Sequence, residues 1–197
     1  AIDEFKRVKE RYDFLTSQKE DILYAEENLK NIISELLTLM ENQFKEQFKI
    51  INENFGIVFS EIFGGGNGYI KLSDESNVLN SGIEIVAQPP GKSLQSMSLL
   101  SGGERALTAI ALLFAILKMK PSPFCILDEI EAALDDANVK RYANYLKRFS
   151  DNTQFIVITH RKGSMEVADT LYGITMQEQG VSKLVSVRFT ENESIVQ

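Results

Sequence analysis

The first 55 residues contain neither glycine nor proline, and no other feature limits the possible folds of this chain so strongly. Within them, apolar residues recur at three- and four-residue steps: Ile2, Phe5, Val8, Tyr12, Leu15, Ile22, Leu29, Ile33, Leu36, Met40, Phe44, Phe48, Ile51 and Phe55. This is a helical stripe close to heptad spacing, interrupted at Lys19 and Glu26. The other positions mix Glu and Lys and read as solvated faces. At about 1.5 Å per residue the helix would be roughly 80 Å long. One stripe of that length needs a partner helix, and no second segment here offers one. The sequence therefore predicts a coiled-coil arm over residues 1–55 and a separate lobe over 56–197. The partner helix would come from another chain or from a further part of the same protein.

The 197 residues are 44% hydrophobic and 25% charged, enough for one medium domain plus an appendage. A net charge of −7 excludes bulk electrostatic binding of nucleic acid by the whole surface, though not by a local basic patch. The single cysteine, Cys125, rules out an internal disulfide framework, fits a reducing compartment, and reads as a small core residue. No run of about 18 apolar residues exists, so no membrane span is expected. The opening Ala1-Ile2-Asp3-Glu4-Phe5 reads as neither a signal peptide nor a natural start. The chain reads as a piece of something longer.

Beyond the glycine run Gly64-Gly65-Gly66-Asn67-Gly68, period-two alternation predicts strands over 69–73 and 83–87. Helical periodicity follows over 102–118. Strands are expected at 123–128, 155–159, 171–176 and 183–189, with a polar helix at 136–149 and a short helix at 163–168. Helix–strand alternation with apolar strands implies an α/β sheet buried on both faces.

Leu100-Ser101-Gly102-Gly103-Glu104 stands at the start of the first helix of this part. A glycine-rich helix start is an anion site, because free N–H groups and the helix dipole both point at negative charge. A capping box explains Ser101 and Glu104 but leaves the paired glycines, which weaken a helix, unexplained. The strand Phe124-Cys125-Ile126-Leu127 then delivers Asp128 and Glu129, a Walker B arrangement. The first carboxylate suits Mg²⁺, the second an attacking water. Asp135 reads as a helix N-cap, and His160, the only histidine, follows the next strand. Gly91-Lys92-Ser93 is a poor phosphate loop, since Val86 stands where a glycine is needed and Pro89-Pro90 would lie inside it. The run at 64–68 lacks the Gly-Lys-Ser/Thr that should follow. Both read as turns.

In order, Leu-Ser-Gly-Gly-Glu-Arg, a strand with Asp-Glu, Ala-Leu-Asp, and a strand with Thr-His resemble the ATP-binding-cassette ATPases. Leu99 to Thr108 and Asp128 to Asp135 resemble the structural-maintenance-of-chromosomes (SMC) family among them, with Ile130-Glu131 where transporter cassettes carry Pro-Thr. Ile85 to Lys92 also resembles the bacterial SMC head. The resemblance implies the C-terminal half of such a head: the returning coiled-coil helix, then the C-terminal lobe of an α/β P-loop ATPase.

It further implies ATP and Mg²⁺ as cofactors. Ser101, Gly102, Gly103 and Glu104 resemble the signature that meets the γ-phosphate of ATP held on an opposite head. Asp128 resembles the Mg²⁺-linked residue, Glu129 the general base, Asp135 the residue crossing between heads, and His160 the γ-phosphate sensor. Implied partners are an N-terminal lobe carrying the P-loop, a second SMC head, a kleisin with a winged-helix domain, and DNA through the complex. On this reading the chain hydrolyses ATP only with that lobe and a second head, and serves chromosome condensation and segregation in the cytoplasm at the nucleoid. Its alternatives are a recombination or break-repair ATPase and a non-catalytic coiled-coil module with a degenerate cassette. Lys140, Arg141, Lys147, Arg148, Arg161 and Lys162 are weak candidates for phosphate contact, since such clusters are usually solvated faces.

Overall fold

The computed structural model describes residues 2–151 and 153–188. They divide into two units: the chain up to Phe48 with Glu75–Ser81, and Lys49–Asp74 with the chain from Gly82 onward. Helix α1 (Ile2–Phe63) begins in the first unit. There its apolar stripe is bare: Phe5, Leu15, Leu29 and Leu36 are all at least half exposed. The helix is supported locally by Glu26–Lys30 and Glu41–Lys45 pairs one turn apart and by stacking of Phe44 on Phe48. A 3₁₀ turn at Val78–Asn80 completes this unit.

In the second unit the last turns of α1 are core. Phe55, Val58, Phe59, Ile62 and Phe63 are buried. Phe55, Phe59 and Phe63 recur every four residues on one face, with ring centroids 5.9 and 4.2 Å apart. The helix stops where Gly64, Gly65 and Gly66 all take positive φ, and the Gly65 N–H donates to the Ser60 carbonyl at 2.8 Å. The helix thus extends past residue 55 to Phe63. The glycine run is absorbed by packing: a Cβ on Gly66 would stand 2.2 Å from the Gln88 carbonyl oxygen, and one on Gly68 would stand 2.9 Å from the Phe59 ring.

Strands β1 (Asn67–Leu72), β2 (Ile83–Gln88) and β3 (Gln95–Ser96) form an antiparallel sheet in that order. Asn52 ties it to α1 by accepting the Ile70 N–H at 2.8 Å. Helix α2 (Gly102–Met119) leads to β4 (Phe124–Asp128), and α3 (Asp136–Phe149) to β5 (Gln154–Ile158), which pairs parallel with β4. The rings of Tyr145, Phe149 and Phe155 lie 5.0, 5.5 and 6.1 Å from that of Phe114, so α2 and α3 close on the Phe155 side of β4–β5. Short helix α4 (Lys162–Met165) precedes an antiparallel hairpin of β6 (Thr170–Glu178) and β7 (Val181–Arg188). Residue 189, the end of the last expected strand, lies outside the described residues.

The expectation of one sheet buried on both faces is corrected. The described strands form three small sheets. On β4–β5, Phe124, Ile126, Ile156 and Ile158 are about half exposed or more. Both faces of these strands are apolar, as a doubly covered sheet requires, but helices of the described residues cover only one.

Candidate functional site

Parallel pairing of β4 with β5 brings two distant sequence motifs to one sheet end, since Asp128 lies in register with Ile158. Carboxyl ends of parallel strands are where open α/β sheets bind ligands. Glu129 extends the ladder by donating its N–H to the Ile158 carbonyl at 2.9 Å, yet sits at φ +47°. For a residue bearing a Cβ this left-handed conformation costs energy, and it turns the chain sharply at the strand end. Its carboxylate meets Nδ1 of His160 at 3.2 Å. Both side chains are more than half exposed, so solvent and ligands reach the pair.

The start of α2 is held by an acid and a base. Glu104 Oε2 accepts the Ser101 N–H at 3.1 Å and the Ser101 hydroxyl at 2.6 Å. Lys92 Nζ reaches the same carboxylate at 2.8 Å. The Lys92 ammonium foremost, and then Ser101, hold the Glu104 carboxyl below the ordinary carboxylate range. Gly91-Lys92-Ser93 is a turn, as its sequence suggests: Gly91 has φ +77°, and the Lys92 N–H donates to the Pro89 carbonyl. The two signature glycines differ. A Cβ on Gly103 would come within 3.3 Å of the Ala133 carbonyl oxygen, so this glycine lets α2 approach the loop that follows Glu129. A Cβ on Gly102 would meet nothing within 4 Å. Internal packing therefore does not require Gly102, which leaves its backbone open to an approaching group.

Asp135 caps α3, accepting the Asn138 N–H at 2.8 Å and the Asn138 side-chain amide at 3.0 Å. Several of the basic candidates are engaged internally. Arg141 caps the end of α1 through the Phe63 carbonyl. Lys147 pairs with Asp169, Arg148 lies over the Tyr145 ring, and Arg161 bonds the Leu134 carbonyl and Asp136. Among the described residues no three acidic, cysteine or histidine side chains cluster as a metal cage. Mg²⁺ in nucleotide sites takes one or two carboxylates and completes its shell with phosphates and water. The exposed carboxylate of Asp128, adjacent to Glu129, fits that requirement. Two residues that motif spacing left without a role belong to this region: Lys92, paired with Glu104, and Glu131, fully buried. The signal for Glu131 was a charge set among apolar Ile130, Ala132, Ala133 and Leu134.

Residues 9–183 match the family model described as "RecF/RecN/SMC N terminal domain". The chain is 59% identical over all 197 residues to "Chromosome partition protein Smc" of Bacillus subtilis (strain 168), covering 17% of it. It is 61% identical over 188 residues, 95% of its length, to the protein of that name from Desulfitobacterium hafniense (strain Y51), covering 16%. The chain thus spans about a sixth of the length of these relatives. Among solved structures it is similar to the "Smc head domain with an extended coiled coil bound to the C-terminal domain of ScpA derived from Pyrococcus furiosus". That match has TM-score 0.73 and 42% identity, covering 94% of this chain and 46% of that one. It is also similar to a chain described under "Structural biochemistry of ATP-driven dimerization and DNA stimulated activation of SMC ATPases". There the TM-score is 0.70 and identity 46%, covering 75% of this chain and 89% of that one.

These findings correct part of the expectation. The α/β head fold stands, but the matching model is that of an N-terminal domain, so the chain's placement as the C-terminal half or C-terminal lobe of a head is withdrawn. With it goes the reading of the function as that of a C-terminal part, together with the requirement for a separate N-terminal lobe to supply a Walker A loop. The reason is physical: motif spacing governs where groups meet within a fold and carries no information about which end of a longer chain supplies them. With the motif order, the head fold and the match over residues 9–183 all in agreement, the chain belongs to the RecF/RecN/SMC family.

Proposed function

We propose that this chain forms part of an SMC ATPase head acting in chromosome partition. The hydrolytic site lies at the paired ends of β4 and β5, with the start of α2 as a phosphate contact. The observation that carries this reading is the Glu129–His160 pair at 3.2 Å, beside Asp128. Glu129 accepts a proton from the attacking water. His160, hydrogen-bonded to it, holds the carboxylate in place and senses the γ-phosphate. Asp128 would hold Mg²⁺, and the ion would supply charge neutralisation on the phosphates when bound. Ser101, Gly102 and Gly103 meet the γ-phosphate of ATP on a second head. To do so, the Ser101 hydroxyl leaves Glu104 and donates to the phosphate instead. Asp135, at the cap of α3, crosses between the heads.

The stretch over residues 1–55 serves as a coiled-coil arm, supported by its bare apolar stripe and by relatives described as having an extended coiled coil. A kleisin is a partner by analogy with the head described as bound to "the C-winged helix domain of ScpA". DNA acts through the full complex, and the site of action is the cytoplasm at the nucleoid. No described helix is long and apolar enough to cross a membrane.

The test is steady-state ATPase activity and head crosslinking in the full-length protein. Glu129→Gln lowers kcat by roughly 10²-fold or more while ATP-dependent head dimers accumulate. Ser101→Arg abolishes both hydrolysis and dimers. Glu129→Gln turnover equal to that of the parent protein would remove Glu129 from the chemistry.

A further inference from the structure

Glu131 is a carboxyl with no contact to solvent. Its Oε1 accepts hydrogen bonds from the Thr159 hydroxyl at 2.5 Å and the Ser164 hydroxyl at 2.8 Å. Its Oε2 is buried without a protein partner, as is the Tyr142 hydroxyl. Burial first, and the neighbouring Glu131 second, raise the Tyr142 phenol above its ordinary range. Burying a carboxyl in this way is costly, and a Leu or Met would fill the space without that cost. The two hydroxyls that its carboxylate accepts explain its presence. Thr159 immediately precedes His160, and its oxygen also accepts the Arg161 N–H at 3.0 Å. The residues flanking the imidazole are therefore both tied to one hydroxyl, and that hydroxyl is tied to Glu131. Glu131 itself lies two residues after Glu129, in a turn closed by the Ala132 N–H on the Glu129 carbonyl and by the Leu134 N–H on the Glu131 carbonyl. Ser164, in α4, provides the second anchor of the carboxylate.

We propose that Glu131 is a positioning residue that sets the Glu129–His160 pair by clamping Thr159 and Ser164 to the turn that follows Glu129. Its effect on turnover rests on the ATPase reading above. Its effect on geometry does not, and the experiment separates the two. The chain has one histidine, so the imidazole Cε1–H correlation in an NMR spectrum of the ¹³C-labelled chain is a single reporter of His160. Glu129→Ala marks where that signal lies when the pair is broken. Glu131→Gln keeps a carbonyl oxygen to accept both hydroxyls and leaves the signal at its original position. Glu131→Met, which keeps bulk but no acceptor, moves it toward the Glu129→Ala position. Thr159→Val, at a half-buried site, moves it in the same direction and decides the question if Glu131→Met fails to fold. A signal unmoved by Thr159→Val, or moved as far by Glu131→Gln as by Glu131→Met, overturns the clamp.

In the full-length protein, Glu131→Met lowers kcat by roughly 10- to 100-fold, the scale of a 1 Å misplacement, with KM within about twofold. In a Glu129→Gln background it lowers kcat little further, because the residue it positions is already lost. Equal fold-losses in both backgrounds would make Glu131 merely structural. Absence of ATPase activity in the parent protein would sink the ATPase reading and leave the NMR result standing.

Discussion

At the scale of single residues, the sharpest observation is Glu129 at φ +47°. A residue with a Cβ is disfavoured there by roughly 1–2 kcal/mol, whereas glycine meets no steric penalty and gives up only part of that gain to its greater chain entropy. Glu129→Gly is therefore expected to raise stability by about 1 kcal/mol while abolishing hydrolysis. Paired urea titrations and ATPase assays check both halves, and a lower unfolding midpoint would show that the strain is not where the backbone places it. Lys92 and Glu104 give a second expectation. Because the folded Glu104 carboxyl lies below its ordinary value of 4.5, the folded state binds protons less readily there than the unfolded chain. The stabilisation is fully present above the unfolded value and is lost as pH falls through the folded one. Unfolding midpoints of the parent chain and Glu104→Gln should differ at neutral pH and converge in acid, below the ordinary carboxylate range. A gap that persists in acid would assign the effect to packing.

At the scale of elements, α1 is one helix with two kinds of surface. Around Leu36 the apolar stripe is half exposed, whereas Phe59 is fully buried against Gly68. Phe59→Ala should cost about 3–5 kcal/mol, and Leu36→Ala should stay within about 0.5 kcal/mol, both read by urea titration of this chain. A large loss at Leu36 would mean that the stripe is already paired. Gly68→Ala, which drives a Cβ to 2.9 Å from the Phe59 ring, should cost roughly 1–3 kcal/mol by overpacking. The start of α2 shows the same economy on a smaller scale. Its capping acid is explained locally by Lys92 and Ser101, while internal packing does not require Gly102.

At the scale of the whole molecule, the open face of β4–β5 is the main departure from an isolated globular domain. Ile126 and Ile156 are exposed at 59% and 49%. Replacing both with Thr should leave the free energy of unfolding within about 0.5 kcal/mol and raise solubility, measured by urea titration and concentration-dependent light scattering. A marked loss of stability would show that this face is covered in solution.

Much of the element order was legible in the residues. The breaker-free stripe, the period-two runs and the caps at Ser101 and Asp135 depend on neighbours three or four positions away, and such signals are local. The adjacency of Asp128 and Glu129 and their place at a strand end were legible for the same reason. Resemblance added the family and gave His160 as a γ-phosphate sensor, without placing it beside Glu129. It also placed the chain at the wrong end of a head, because motif order is silent on position in a longer protein. The tertiary structure decided everything that depends on distance across the chain. Parallel pairing of β4 with β5 brings residues 129 and 160 to 3.2 Å. Close approach of α2 to the Ala133 carbonyl separates the role of Gly103 from that of Gly102. Burial turns Glu131 from one charge among many into a clamp. Periodicity reports which face of an element is apolar, but only packing determines what that face meets, since contact energy falls off over a few ångströms while the residues involved lie tens of positions apart.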